Sequence, residues 1–147
     1  MNFFEGVISN PAFEVAFLSW LFAQILKVFT NLYKDKKLDF YRLVGSGGMP
    51  SSHSSFVMGL STAIGLMEGW DSSVYAVSLV FSLIVMYDAS GVRRSVGKQA
   101  MIINHMITDF YKTHKIKEEK LKELVGHTPY EVFAGALLGI IFANIMI

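Results

Sequence analysis

Long apolar segments constrain this chain more than any other feature of its sequence. Residues 11–33, 73–90 and 129–147 carry few charges, and each is close to the roughly 20 residues that a helix needs to cross a ~30 Å hydrocarbon core. Residues 52–67 form a shorter apolar segment. Only 17% of the residues are charged, against about 25% in an ordinary soluble domain. The sequence therefore predicts an all-α, integral membrane bundle of four transmembrane helices, forming one domain over residues 1–147.

The segments between the predicted spans are polar. Residues 1–10 are expected to form a short polar lead, and residues 34–50 a polar loop. Residues 99–125 mix apolar residues with Lys and Glu, a pattern that favours one or two amphipathic helices on the membrane surface between spans 3 and 4. In span 4, Gly135 and Gly139 form a G-x-x-x-G packing seam, which also allows for a homodimer. The chain has no cysteine, and we find no motif for binding a nucleic acid or a metal.

Four spans of alternating direction bring the end of span 1, the start of span 2, the end of span 3 and the start of span 4 to one side. The polar residues at these four places are Gln24, Lys27, Ser51, Ser52, His53, Asp88, Arg93, Arg94, His127 and Glu131. Every Lys and Arg lies on that side or in the membrane near it. By the positive-inside rule, the side is cytoplasmic and both termini are outside the plasma membrane.

The start of span 2 resembles an anion site. Gly47–His53 reads as a loop that runs into a helix, with Ser51 or Ser52 as its N-cap. The first N–H groups of such a helix have no partner within it and favour a phosphate group. Lys27, Arg93 and Arg94 lie at or inside helix ends, where a charge is costly unless it has a use.

Histidine and glutamate at the start of span 4 allow two interpretations. His127 could act as a nucleophile in phosphoryl transfer, with its second ring nitrogen held by Glu131 one helical turn later. Alternatively, Thr128 to Glu131 form a capping box, in which the Glu131 carboxylate turns back to its own helix end. Spacing alone leaves both open. Gln24 and Asp88 are candidates for a supporting role.

Taken together, these motifs resemble a known family. The segment Pro50–His53 resembles the P-S-G-H signature of the type 2 phosphatidic acid phosphatase and vanadium haloperoxidase superfamily, and Gly126–Gly135 resembles its closing H-x-x-x-D segment. With GGMPSSH, DASGVRR and LKELVGH in order, nearly the whole chain is similar to the divergent, small bacterial branch of that superfamily. Ser52 stands where the signature has Gly, and Glu131 where it has Asp.

The resemblance implies metal-independent hydrolysis of a lipid phosphate or isoprenyl diphosphate through a phosphohistidine, with no cofactor. His127 would be the nucleophile, Glu131 its orienting carboxylate and His53 the general acid. The residues implied to bind phosphate are Lys27, Ser51, Ser52 and Arg93 or Arg94. Two alternatives are a non-catalytic membrane protein that binds anionic head groups or a partner, and a small transporter or channel subunit.

Overall fold

Helices make up the regular structure of the protein. The computed structural model describes residues 2–36, 48–114 and 126–147, and in these ranges it contains α-helices and no strand. The helices are α1 (Phe3–Ile8), α2 (Pro11–Asp35), α3 (Ser52–Glu68), α4 (Ser73–Ser90), α5 (Val92–His114) and α6 (Pro129–Met146). The all-α prediction is confirmed.

Side-chain caps fix where the long helices begin. The side chain of Asn10 accepts a hydrogen bond from the Phe13 N–H at the start of α2. Ser51, Ser72 and Thr128 cap α3, α4 and α6 in the same way. Each cap satisfies one of the N–H groups that the first helical turn leaves without a partner. Of the two serines that could cap α3, it is Ser51 that does so.

Helix α3 lies at the centre and packs against α2, α4 and α6. Its buried residues are mostly small: Ser52, Ser54, Ser55, Val57, Gly59, Ser61, Thr62, Ala63 and Gly65. Small side chains let neighbouring backbones approach closely, which is how helices associate where lipid gives no hydrophobic driving force. The central position of α3 therefore follows from its composition.

Serine hydroxyls join the neighbouring helices to α3. Ser19 donates to the Ser55 carbonyl oxygen at 3.0 Å, and Ser55 donates back to the Ser19 carbonyl oxygen at 3.0 Å. On the other side, the Ser82 hydroxyl lies 2.9 Å from the Val57 carbonyl oxygen. These bonds satisfy polar groups that would find no hydrogen-bond partner in the hydrocarbon core of a membrane. They also set the register of α2 and α4 along α3.

The glycines of α6 allow it to approach α3 most closely. A methyl group on Gly135 would overlap the Ser51 carbonyl oxygen, and one on Gly139 would overlap the Ser55 carbonyl oxygen and approach the Gly59 nitrogen. The G-x-x-x-G motif is thus a packing seam within the chain. Because α3 already covers this seam, it is not a free surface for a second copy.

Three described helical stretches are long and apolar enough to cross a membrane: Pro11–Tyr33, Ser73–Thr108 and Pro129–Met146. At 17 residues, α3 is shorter than these. The outward faces of the three long stretches are apolar. On α4, for example, Val77 and Ile84 are exposed. The protein is therefore a multi-pass membrane protein by the length and composition of its helices.

The structure adds to or corrects the sequence-based prediction at two places. Residues 3–8, within the expected short polar lead, form α1, with a capping box between Asn2 and Glu5. Helix α5 begins at Val92, directly after Gly91, and not near residue 99 as expected for the amphipathic helix of this region. Residues 115–125, expected to belong to the surface helices, lie outside the described part of the chain.

Candidate active site

The N-terminus of α3 forms one wall of a polar site. The Ser51 hydroxyl accepts from the Ser54 N–H, and the Ser51 N–H donates to the Glu131 carbonyl oxygen at 2.9 Å. Capping uses the hydroxyl as an acceptor and leaves its own hydrogen able to donate, so its role in binding phosphate stays a prediction. Ser52 and His53 follow as the first two helical residues, whose N–H groups have no acceptor within the helix.

Lys27 enters the site from α2 and is only 1% exposed. Its Nζ donates to the Ser52 hydroxyl oxygen at 2.9 Å. Within the described ranges, no carboxylate lies within salt-bridge distance of this ammonium. A buried ammonium is costly without a counterion. Lys27 is therefore more than a topology signal, and its position suits an anionic ligand.

His127 is held beside the end of α4 by its own backbone. Its N–H donates to the Ala89 carbonyl oxygen at 2.8 Å, and Gly126 before it has a φ of 100°, which favours glycine. The imidazole is 2% exposed. Its Nε2 has no hydrogen-bond partner among the described residues. This nitrogen is thus a buried donor or acceptor to which none of the described residues binds.

Glu131 lies where both of the interpretations that the sequence left open would place it. Its Oε2 accepts a hydrogen bond from the Thr128 N–H at 2.8 Å, which completes the capping box of α6. The same Oε2 lies 3.4 Å from Nδ1 of His127. That distance is long for a hydrogen bond but short for an ion pair, and such contacts often tighten when a ligand binds. The two interpretations do not exclude each other.

The surroundings of His127 favour a neutral imidazole. Burial lowers the pKa of His127 below its usual range, and the nearby charge of Lys27 lowers it further. Glu131 opposes this effect through its charge and its contact with Nδ1. Because burial has the largest effect, the ring stays neutral near pH 7. With Nδ1 facing the carboxylate, the proton belongs on Nδ1 and the lone pair on Nε2.

His53 stands opposite His127 and connects the site to an apolar groove. The two ring centroids are 6.1 Å apart at an angle of 61°, so one phosphoryl group can contact both rings. His53 also lines a cavity of about 440 Å³ between α2, α3 and α4. The other lining residues are apolar or aromatic: Phe17, Trp20, Phe56, Val57, Phe81 and Val85.

Asn31 is a polar residue of the site that the sequence analysis missed. It lies one helical turn after Lys27 on α2 and is 6% exposed, and its Nδ2 has no hydrogen-bond partner among the described residues. A Cβ built on Gly48 would lie 3.7 Å from the Asn31 amide and 4.0 Å from Lys27 Cγ. The signal was present in the sequence, because Gln24, Lys27 and Asn31 follow the i, i+3, i+7 spacing of one helix face.

The remaining predicted site residues are described by their positions in the helices alone. Gln24 is buried on α2, one turn before Lys27. Asp88 is half-buried in the last turn of α4, next to the residue that accepts the His127 backbone bond. The side chains of Arg93 and Arg94 lie outside the described part of the structure, although their backbone begins α5. The structure thus brings His127, His53, Glu131, Lys27 and Ser52 together.

The chain is thus a helical membrane protein whose polar site combines two facing histidines, a buried lysine and a capped helix N-terminus. A family model described as the Divergent PAP2 family matches residues 8–142, and the chain belongs to that family. It is also 44% identical over 137 residues to YuiD, an uncharacterized membrane protein of Bacillus subtilis (strain 168). That match covers 86% of this chain and 87% of the relative. No solved structure matches the chain.

Proposed function

We propose that the protein is a membrane phosphohydrolase that removes a terminal phosphate from a lipid phosphate or isoprenyl diphosphate through a phosphohistidine. The observation that carries this proposal is the buried, neutral His127 beside a buried Lys27 that has no carboxylate partner in the described residues. A nucleophile needs a free lone pair, and a phosphate needs positioned cations and donors around its oxygens. Membership of the Divergent PAP2 family supports this reaction class.

In the first step, the Nε2 lone pair of His127 attacks phosphorus and forms an N–P bond. The bond from phosphorus to the leaving oxygen breaks, and His53 donates a proton to that oxygen. Positive charge develops on the His127 ring, where the Glu131 carboxylate stabilises it through Nδ1–H. Lys27, Asn31 and the first N–H groups of α3 hold the phosphoryl oxygens, whose charge is highest at this point.

In the second step, water attacks phosphorus and gives a proton to the now neutral His53. The N–P bond breaks, which restores the neutral His127 and releases inorganic phosphate. This cycle uses no redox change, and each proton lost by a histidine is returned. Ser52 has a positioning role in it, because its hydroxyl accepts from Lys27 and so fixes the ammonium beside the helix terminus.

The test is phosphate release by the detergent-purified protein in the presence of EDTA. Suitable substrates are phosphatidic acid, phosphatidylglycerol phosphate, and farnesyl and undecaprenyl diphosphate. We expect wild type to release phosphate and His127→Ala to lose this activity. His105→Ala is the matched control, since His105 is exposed on α5 and its loss should leave the rate unchanged. Lipid binding without release by wild type would identify the non-catalytic alternative.

We also propose that α3 crosses the membrane as a fourth span, with the site on the cytoplasmic side. Its 17 residues rise about 26 Å at 1.5 Å per residue, close to the ~30 Å hydrocarbon core. Because the chain has no cysteine, single cysteines can be labelled cleanly. In intact cells, an impermeant maleimide should label Asp71→Cys, in the turn between α3 and α4. Lys36→Cys should react only after permeabilisation, and the opposite result would reverse the orientation.

A further inference from the structure

The groove beside His53 has a polar end and an apolar body. His53 forms the polar end, and the walls come from α2, α3 and α4. Along α2, Trp20 and Phe17 lie seven and ten residues before Lys27, which is about 10 and 15 Å at 1.5 Å per residue. The groove therefore runs from the polar site toward the middle of the membrane.

The mouth of the groove opens on the lipid-facing surface. Two of its aromatic residues are substantially exposed, Phe17 by 45% and Phe81 by 53%. Both belong to stretches that are apolar and long enough to span a membrane. The hydrocarbon chain of a lipid phosphate can therefore enter the groove from the bilayer while the phosphate group stays in the polar site.

We propose that this groove binds the hydrocarbon chain of the leaving group, and that it is built for a substrate with a single chain. This inference rests on the proposed function, because His53 protonates the leaving oxygen and also lines the groove. In a lipid monophosphate, the atom that follows the leaving oxygen is the first carbon of the chain. In an isoprenyl diphosphate the leaving group is the monophosphate, so one phosphate unit lies between the leaving oxygen and that carbon. With the oxygen at His53, the start of the chain lies at or just inside the end of the groove beside His53.

The volume of the groove sets the number of chains. A water molecule takes about 30 Å³, and a methylene group is of similar size. A cavity of about 440 Å³ thus holds about 15 methylene groups. This matches one alkyl chain of about that length or three isoprene units. A diacyl lipid carries two such chains, and the second one has no place in the groove.

Packing rather than the hydrophobic effect makes the groove selective. A chain that moves from the bilayer into the groove exchanges one apolar environment for another, so burial alone gives little affinity. The gain comes from contacts with the walls, which are sensitive to shape, and from holding the leaving oxygen at His53. The second chain of a two-chain lipid would stay in the bilayer and gain none of these contacts. The glycerol that joins its two chains would also have to lie beside His53, where a one-chain lipid places a single unbranched chain.

Fluorescence of Trp20 tests this inference without any turnover. The chain has two tryptophans, and Trp70 lies in the turn at the far end of α3, so Trp70→Phe leaves Trp20 as the only one. A hexadecylphosphonate brominated along its chain cannot be hydrolysed and quenches a tryptophan that it contacts. We expect it to quench most of the Trp20 emission saturably in detergent micelles. Brominated diacyl phosphatidic acid should give only weak, non-saturable quenching.

Competition and a matched pair of variants sharpen the result. Unbrominated hexadecyl- or farnesylphosphonate should restore the emission, and the stronger competitor identifies the kind of single chain. Val85→Phe, which fills the groove from α4, should abolish the saturable quenching. Val77→Phe makes the same change on the exposed face of α4 and should leave it intact.

The outcomes separate this inference from the proposed function. Equal saturable quenching by one-chain and two-chain lipids would overturn the single-chain claim. An absence of saturable quenching, in a protein that releases phosphate, would overturn the groove assignment and leave the phosphatase standing. Saturable quenching that is specific for one chain, in a protein that releases no phosphate, would support the groove and refute the proposed reaction.

Discussion

The double role of Glu131 gives the sharpest test of the proposed chemistry. Glu131→Gln keeps an acceptor for the Thr128 N–H but removes the negative charge 3.4 Å from His127 Nδ1. At an effective dielectric constant of about 20, two unit charges at this distance interact by roughly 5 kcal/mol. Glu131 is 18% exposed and shares its oxygen with the cap, so we take about half to four-fifths of this value. The rate should fall about 100- to 1,000-fold.

The assay measures phosphate release and thermal unfolding of the same preparations. Glu131→Gln should lose activity while its unfolding temperature stays close to that of wild type. Thr128→Ala is the complementary control, because it removes the cap and leaves the carboxylate. That change should cost about 1 kcal/mol of stability. The activity per folded molecule of Thr128→Ala should remain near that of wild type.

The pattern of these two variants decides the role of the carboxylate. If Glu131→Gln keeps full activity, the charge beside His127 has no part in the reaction, and Glu131 is a helix cap alone. If Glu131→Gln and Thr128→Ala lose stability and activity in the same proportion, the cap accounts for both effects. Either result would refute the argument that one oxygen serves both groups.

Three further predictions follow from the contacts of α2 and α6. Gly139→Ala should lower stability by about 1–3 kcal/mol in thermal unfolding, because its methyl group meets the Ser55 carbonyl oxygen; unchanged stability would contradict the seam. Lys27→Met should raise the pKa of His127, which the Lys27 charge lowers, and an NMR titration that shows no shift would contradict this. In wild type, the fall of kcat/KM on the acid side, where His127 becomes protonated, should accordingly lie below pH ~6.5, the ordinary value for histidine. Asn31→Ala should reduce kcat/KM about 10- to 100-fold, and Asn31→Asp more; equal activity of both variants to wild type would exclude Asn31 from the site.

Much of the fold could be predicted because apolar length and helix caps are local signals. The starts of α3, α4 and α6 follow from Ser51, Ser72 and Thr128, each placed directly before an apolar run. The start of α5 directly after α4 was missed, since Gly91 and the basic residues after it resemble the end of a span. In the structure, Gly91 keeps a right-handed helical conformation, with φ −102° and ψ −75°.

The grouping of three candidate site residues could be predicted from the sequence, but their contacts could not. Alternating helix directions were enough to expect Lys27, His53 and His127 on one side. Which hydrogen bonds the Ser51 hydroxyl makes depends on a single rotamer, which no sequence pattern determines. Asn31 was missed because an amide on an otherwise apolar helix is easily taken for an interfacial residue. Its burial and its unpaired Nδ2 become visible only once Gly48 is placed against it.

The substitution of Ser for Gly in the signature motif gains a physical explanation from Lys27. A glycine at position 52 would leave the Lys27 ammonium without its 2.9 Å acceptor, in a site where no described carboxylate is within ion-pair reach. The serine hydroxyl therefore holds the cation in place while the site is empty, and it occupies space that a phosphate oxygen could use. Because the hydroxyl can rotate and donate to an arriving phosphate, the same group that holds the lysine can also contact the ligand. The departure from the signature thus fits a site that binds phosphate with a preorganised cation.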